Sequence, residues 1–243
     1  MRGVYLKEIS SYFSSLIGYI VIGIFLTLLG LMLWVFPESS ILNYEYVSLD
    51  QLFIVIPFLF MFIIPAVTMS SFAEERGSGT LELLTTKPIS DLEIVLGKYF
   101  ANLTLVLFML IPTGIYYYSV YQLGFPKGNL DSGAVMGSYI GLFLLASIFV
   151  AIGVFASSLT RNQIVSFVLA TFLSFFFYLA FYYFSELPVF MGTWELYIQK
   201  MGIEYHYQSI SKGLIDSRDV IYFLSLSSLF IFFTVLSLRI LKE

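Results

Sequence analysis

The sequence has 243 residues, of which 59% are hydrophobic and only 12% are charged, whereas soluble domains carry about 25% charged residues. This balance predicts an integral membrane protein. The formal net charge is −4 and basic residues form no run, so we expect no nucleic acid among its partners. The chain has no cysteine and one histidine, so we expect neither a disulfide nor a metal site built from these residue types.

Six stretches without a charged residue or histidine are long enough to cross a bilayer, which takes about 20 apolar residues in a helix. We therefore predict an all-α polytopic membrane protein that forms a single transmembrane domain over residues 1–243. The predicted spans cover residues 16–36, 52–72, 98–121, 134–158, 164–185 and 219–239.

The segment before the first span carries Arg2, Lys7 and Glu8 among apolar residues at roughly helical spacing. The apolar run that follows is longer than that of a secretory signal, and no cleavage site follows it, so we expect the segment to stay attached. Two interpretations remain open: an amphipathic helix that lies in the membrane interface, and the frayed end of span 1.

The distribution of lysine and arginine between the spans predicts the orientation. Eight of these residues fall on the side of the two termini and of the loop 72–98, and four fall on the other side. Both termini and this loop are therefore predicted to be cytoplasmic.

The loop 72–98 has strong local signals. Gly77–Gly79 interrupts the preceding helix, Thr80 is a candidate N-cap for a short helix, and Pro88 prevents that helix from continuing. Ser90 and Glu93 form a capping-box pattern that starts a long helix. The short helix would present three leucines, Leu81, Leu83 and Leu84. The loop therefore has the form of a short docking element for a cytoplasmic partner.

Other features have both a structural and a functional interpretation. Pro57, Pro65 and Pro112 lie inside predicted spans and indicate kinks, which are either hinges or ordinary tolerated prolines. Gly137 and Gly141 form a GxxxG pattern that would allow two helices to approach closely.

Residues 186–219 form the largest outer segment, whose aromatic residues favour short helices at the membrane surface. We interpret its single histidine, His206, as an interfacial side chain.

Several chemistries are missing from the sequence. It has no nucleotide-binding P-loop and no protease motif within a span. Apart from Lys98, Asp219 and Arg239 at their ends, the predicted spans also lack the ionisable residues that ion-coupled transporters keep at depth. A membrane protein with a shaped cytoplasmic loop and no energy source of its own is expected to depend on a cytoplasmic partner.

The sequence resembles the ABC-2 type permeases of ABC transporters. The resemblance rests on the run from Glu74 through Leu84 with Pro88-Ile89-Ser90 and Gly97-Lys98 after it, on the segment 158–163, and on the segment 210–220. Within that family the chain most resembles the gliding-motility-associated permeases of the GldF type, with the permeases of nitrous-oxide-reductase maturation as relatives.

The resemblance implies a pair of six-span units, as a homodimer or with a sibling, on a dimer of cytoplasmic ABC ATPase subunits that bind ATP and Mg. It implies a bacterial inner membrane location, an N-terminal interfacial helix, a dimer contact through spans 1 and 5, and an auxiliary membrane protein with an extracytoplasmic domain. The family's ATPase-coupling positions correspond to Glu74, Glu75, Arg76, Gly79, Thr80, Leu81, Glu82, Leu83, Leu84, Arg161 and Gln163. Its external helices correspond to the region of Trp194, Tyr205, His206, Gly213, Asp216, Arg218 and Asp219.

Three functions follow as hypotheses. The first is the membrane subunit of an ABC exporter without an ATPase site of its own. The second is a mechanical transmitter in which ATP binding moves an extracytoplasmic partner and nothing is transported. The third is an intramembrane enzyme, which the absence of a protease motif disfavours.

Overall fold

The computed structural model describes residues 1–41, 48–81, 89–190, 192 and 194–241, and every regular element within them is helical. Six helices are long and apolar enough to cross a membrane, which confirms the predicted all-α, six-span class. Their bounds, used below as spans 1 to 6, are Leu16–Trp34, Asp50–Gly77, Asp91–Leu123, Ser132–Leu159, Gln163–Ser185 and Ser217–Ile240.

The core lies between spans 2, 3 and 4, which are mostly buried, while spans 1, 5 and 6 are mostly exposed. Span 4 is central because it contacts spans 2, 3, 5 and 6. The exposed faces of the outer spans carry large apolar side chains, among them Ile17, Val168 and Phe232. Such faces suit lipid or the spans of another membrane subunit.

The N-terminal helix α1 (Arg2–Ser14) is separate from α2, which is span 1, because Ser15 between them is extended. This finding supports a distinct helix over the frayed end of span 1. Helix α1 lies against the first half of span 3, and a Cβ at Gly97 would come 2.9 Å from that of Val4. A glycine at position 97 therefore allows the two helices to touch.

Spans 2, 3 and 5 are interrupted. Span 2 consists of α3 (Asp50–Thr68) and α4 (Ser70–Gly77), and both Pro57 and Pro65 lie inside α3 without ending it. Span 3 consists of α5 (Asp91–Leu110), a 3₁₀ turn over Ile111–Thr113 that contains Pro112, and α6 (Gly114–Leu123). Span 4 is α7; span 5 consists of α8 (Gln163–Phe175), a π-helical turn over Phe176–Ala180, and α9 (Phe181–Ser185).

The start of α5 confirms one local prediction. The hydroxyl of Ser90 accepts a hydrogen bond from the Glu93 N–H, and the Glu93 carboxylate accepts one from the Ser90 N–H. This is the capping box expected from the sequence.

Two short helices, α10 (Glu195–Gln199) and α11 (Ile203–Ile210), precede span 6, which is α12. The segment after α11 packs on span 4, where a Cβ at Gly137 would lie 2.9 Å from Gly213 Cα and one at Gly141 would meet Ile210. The GxxxG pattern of span 4 therefore packs closely against Ile210 and Gly213 of the same chain.

Candidate functional site

The candidate site forms around α4, the last part of span 2. Between α3 and α4 the helical hydrogen bonding is interrupted, and Ser157 of span 4 replaces it. The Ser157 hydroxyl accepts hydrogen bonds from the N–H groups of Phe72 and Ala73 at 2.9 and 3.0 Å, and it donates one to the Met69 carbonyl at 2.8 Å. The direction of α4 is therefore fixed by a side chain of span 4.

An ion cluster joins α4 to α1 and span 3. The Glu75 carboxylate lies 2.8 Å from Lys7 Nζ and 3.0 Å from Lys98 Nζ, and Lys98 Nζ also lies 2.8 Å from Glu8. The Lys98 side chain is 1% exposed, whereas that of Lys7 is 58% exposed. The Lys98 ammonium also faces the ring of Phe72 at 5.1 Å. A buried ammonium between two carboxylates and an aromatic face has the partners that compensate for its lost hydration.

A second layer of polar contacts lies beside the cluster. The Tyr12 hydroxyl donates to Asn102 Oδ1 at 2.8 Å, and Asn102 Nδ2 donates to Ser71 Oγ at 3.1 Å and to the Lys98 carbonyl at 2.8 Å. These contacts connect the same three helices, α1, α4 and α5. The buried polar groups are thus hydrogen-bonded to one another, which favours a single relative position of the helices.

Burial and the nearby charges of the ion cluster change the pKa values of Lys7 and Tyr12 on α1. Burial alone would lower the pKa of Lys7, but the nearby carboxylates of Glu75 and Glu8 outweigh it and raise that pKa above its ordinary value. Burial, together with the charge of Glu8, raises the pKa of the Tyr12 hydroxyl. Both side chains therefore keep their protons near neutral pH, and Tyr12 remains a hydrogen-bond donor.

The end of α4 also contacts the turn between spans 4 and 5. A guanidinium N–H of Arg76 donates to the Ser158 carbonyl. A Cβ at Gly77 would lie 2.9 Å from the Arg161 carbonyl oxygen. The structure thus brings together two segments, 74–77 and 158–161, whose corresponding ends are 84 positions apart in the sequence and which were both predicted to contact a partner.

A cavity of about 610 Å³ opens beside the cluster. Its lining includes charged or polar residues, such as Glu74, Lys98 and Gln163, and apolar residues, such as Ile17, Val21 and Leu105. Mixed walls of this kind suit an amphiphilic molecule or segment.

One comparison with known proteins identifies the family. A family model described as "ABC-2 family transporter protein" matches residues 37–238. The chain belongs to the ABC-2 transporter family. With its six apolar helices, this ABC-2 permease is a multi-pass membrane protein and a transporter's membrane subunit, a class that in general has an ATPase partner and a dimeric arrangement. A search of curated proteins found no match.

The structure describes the predicted docking element of the permease only up to Leu81 and again from Ile89. Gly79 has a φ of +72°, which favours glycine, and among the described residues nothing lies within 4 Å of where its Cβ would be. The Thr80 hydroxyl lies 2.9 Å from that of Ser78, and Leu81 packs partly on the core. The predicted positions Glu82, Leu83 and Leu84, and Pro88, lie outside the described residues.

The glutamates of the permease differ from one another in their surroundings. Glu75 has both of its described partners within its own chain, which the sequence did not reveal. Glu74 is exposed, and the described residues supply no ion pair to it. Glu74 therefore remains available to a partner, whereas the Glu75 carboxylate is already engaged.

Among the residues predicted to be external, His206 and Asp219 form a separate polar cluster at the start of span 6. His206 Nδ1 lies 2.7 Å from Asp219 Oδ1, Nε2 lies 2.9 Å from the Lys200 carbonyl, and the ring stacks on Tyr222 at 3.9 Å. His206 is thus held by three neighbours and is more than an interfacial side chain. Two of the other predicted positions have local structural roles, since Asp216 caps span 6 and Gly213 has a φ of +81°. The remaining positions, Trp194, Tyr205 and Arg218, are exposed.

Sequence reasoning missed the residues that hold the site together. Lys98 entered only the count of positive charges and the Gly97-Lys98 pair of the family resemblance, Glu8 was noted only as a charged residue before span 1, and Ser157 and Asn102 were not singled out. The sequence did contain one indication of these contacts. Glu8 and Tyr12 are four residues apart, and so are Lys98 and Asn102. That spacing puts each pair on one helix face.

Proposed function

We propose that this permease couples ATP hydrolysis by a cytoplasmic ABC ATPase subunit to movement of its spans. The observation that carries the proposal is the contact of Arg76 with Ser158 and of Gly77 with Arg161. It supports one continuous partner surface from the loop 74–84 and the turn that contains Arg161 and Gln163. ATP and Mg would be bound by the partner, since the sequence has no P-loop.

In this proposal the ion cluster carries movement from the docked partner into the membrane. Glu75 on α4 is ion-paired with Lys98 on span 3 and with Lys7 on α1, and Ser157 binds the start of α4 to span 4. A displacement of α4 would therefore act on α1, span 3 and span 4 together. Because these contacts are short and mostly buried, the four elements are expected to shift as a unit.

The assembly we propose follows the family resemblance. Two copies, or one copy and a sibling, would meet through spans 1 and 5, which are largely exposed in the single chain. Both termini would be cytoplasmic at a bacterial inner membrane, and an auxiliary membrane protein would bind on the outer side. Gliding motility is the process we propose, because the sequence most resembles permeases of that type.

Export is the first form of work that we propose. The mixed walls of the 610 Å³ cavity support an amphiphilic or largely hydrophobic substrate that enters near the cytoplasmic surface. The described spans offer no row of charged groups for a hydrophilic channel.

Mechanical transmission is the second candidate, and a specific contact favours it. At the other end of span 2, the Tyr207 hydroxyl of α11 donates to the Phe53 carbonyl at 2.7 Å. Span 2 therefore connects the ion cluster with the external helices. Net transport by the reconstituted complex would select export, whereas ATPase stimulation by an extracytoplasmic partner without transport would select mechanical work.

Purification of the full chain in mild detergent from its own cells tests the shared part of both candidates. We expect an ABC ATPase subunit to co-purify, and replacing Leu83 and Leu84 by Ala to reduce its recovery at least tenfold, since burial of each leucine contributes about 1.5–3 kcal/mol. Leu187→Ala with Val189→Ala, at exposed positions in the outer segment, is the matched control. Full recovery with the Leu83 and Leu84 variant would refute the docking surface.

A further inference from the structure

A groove of about 440 Å³ lies between the beginning of span 3 and the end of span 6, away from the ion cluster. Its walls are apolar except at its two ends. The lining residues are Leu92, Leu96, Ser228, Ile231, Phe232, Val235, Leu236 and Arg239. We propose that this groove binds one anionic phospholipid of the leaflet in which the two termini lie.

The length of the groove matches one leaflet. Ser228 and Arg239 are eleven positions apart on a single helix, which corresponds to about 16 Å at a rise of about 1.5 Å per residue. Half of a hydrocarbon core of about 30 Å is about 15 Å. An acyl chain that begins beside Arg239 would thus end near Ser228, at about the bilayer midplane.

At the inner end of the groove, the hydroxyl proton of Ser228 is already engaged. The Ser228 hydroxyl donates to the Leu224 carbonyl of its own helix at 2.7 Å. Phe232 and Leu236 are 60% and 44% exposed, so the groove opens sideways toward lipid. These properties favour a flexible apolar chain as the occupant.

The outer end of the groove carries a positive charge. Arg239 is exposed, and no carboxylate in the described ranges lies within 4.0 Å of its guanidinium. A guanidinium binds phosphate oxygens through paired N–H donors. A lipid with a net negative headgroup is favoured over a zwitterionic one, because a zwitterionic headgroup brings its own cation to the same place.

Native mass spectrometry of the full chain in detergent tests the proposal, with palmitoyl-oleoyl phosphatidylglycerol and phosphatidylcholine as probes. Their acyl chains are identical, so only the headgroup differs. We expect about fivefold greater retention of phosphatidylglycerol by the wild type. Arg239→Gln should remove this preference, and Arg239→Lys should keep most of it.

Two matched variants complete the test. Arg218→Gln, at the other end of the same span, should leave the preference unchanged. Ser228→Trp, at an exposed position, should fill the inner end and reduce retention of both lipids. Equal retention of the two lipids by the wild type would overturn the proposal. So would an unchanged preference in Arg239→Gln, or a Ser228→Trp variant that loses a dimer and keeps its lipid, since a second copy would then be the occupant.

Discussion

The Lys98 ammonium lies 3.0 Å from the Glu75 carboxylate, although the Lys98 side chain is almost completely buried. This pair joins span 3 to the helix that enters the predicted docking loop. With Glu8 as its second carboxylate, Lys98 is the centre of the ion cluster. Its removal would leave buried carboxylates with too few partners.

Lys98→Met should therefore destabilise the permease by about 3 kcal/mol, because an unpaired buried charge keeps its desolvation cost. Lys7→Met is the matched control and should cost about 0–1 kcal/mol, since Lys7 is largely exposed. Thermal unfolding in detergent measures both. An equal loss of stability in the two variants would contradict the role of Lys98 as the centre of the ion cluster.

Tyr207→Phe tests the link between the external helices and span 2. The Phe53 carbonyl lies four residues before Pro57, which has no N–H to donate, and the buried Tyr207 hydroxyl supplies the missing hydrogen bond. We expect a loss of about 1–3 kcal/mol in stability. Tyr205→Phe, on the same helix but more exposed, should have little effect. Similar melting temperatures for the wild type and both variants would show that the hydrogen bond of Tyr207 contributes nothing to stability.

Glu204→Gln should change the pH dependence of stability. Burial raises the pKa of Glu204, despite a hydrogen bond from Gln208, and the charge of Glu186 adds to the effect. The folded state then keeps a proton that the unfolded state has lost, so stability falls as pH rises from the ordinary carboxyl pKa of 4.5 through the raised pKa. The variant should remove this decrease. Melting curves at pH 4 and pH 7 measure it, and a wild-type decrease that persists in the variant would exclude Glu204 as its source.

Single cysteines test the predicted orientation, and the absence of native cysteine makes the background clean. Cysteines at the exposed positions Lys127 and Lys200 should react with an impermeant maleimide added to intact cells. Cysteines at the exposed positions Gly3 and Ser78 should react only after the cells are opened. Labelling of Ser78→Cys in intact cells would show that the predicted orientation is reversed.

The six spans and the capping box of Ser90 were predictable because length, hydropathy and local hydrogen bonding are encoded in contiguous residues. The ion cluster was not, since Glu8, Glu75 and Lys98 come from three helices whose relative positions depend on packing. Gly137 shows the same limit. The GxxxG pattern indicated close packing, but its partner, the segment around Gly213, follows only from the long-range fold.

Site-specific photo-crosslinking tests the proposed coupling surface most directly. A photoreactive amino acid would replace Leu83 or Arg161 in the full permease within its native membrane, with Trp194 in the outer segment as the control position. We expect both cytoplasmic positions, and not the control, to form a covalent adduct that contains peptides of an ABC ATPase subunit. ATPase adducts at Trp194 alone, or at none of the three positions, would contradict the proposal that the loop 74–84 and the turn at Arg161 bind the partner.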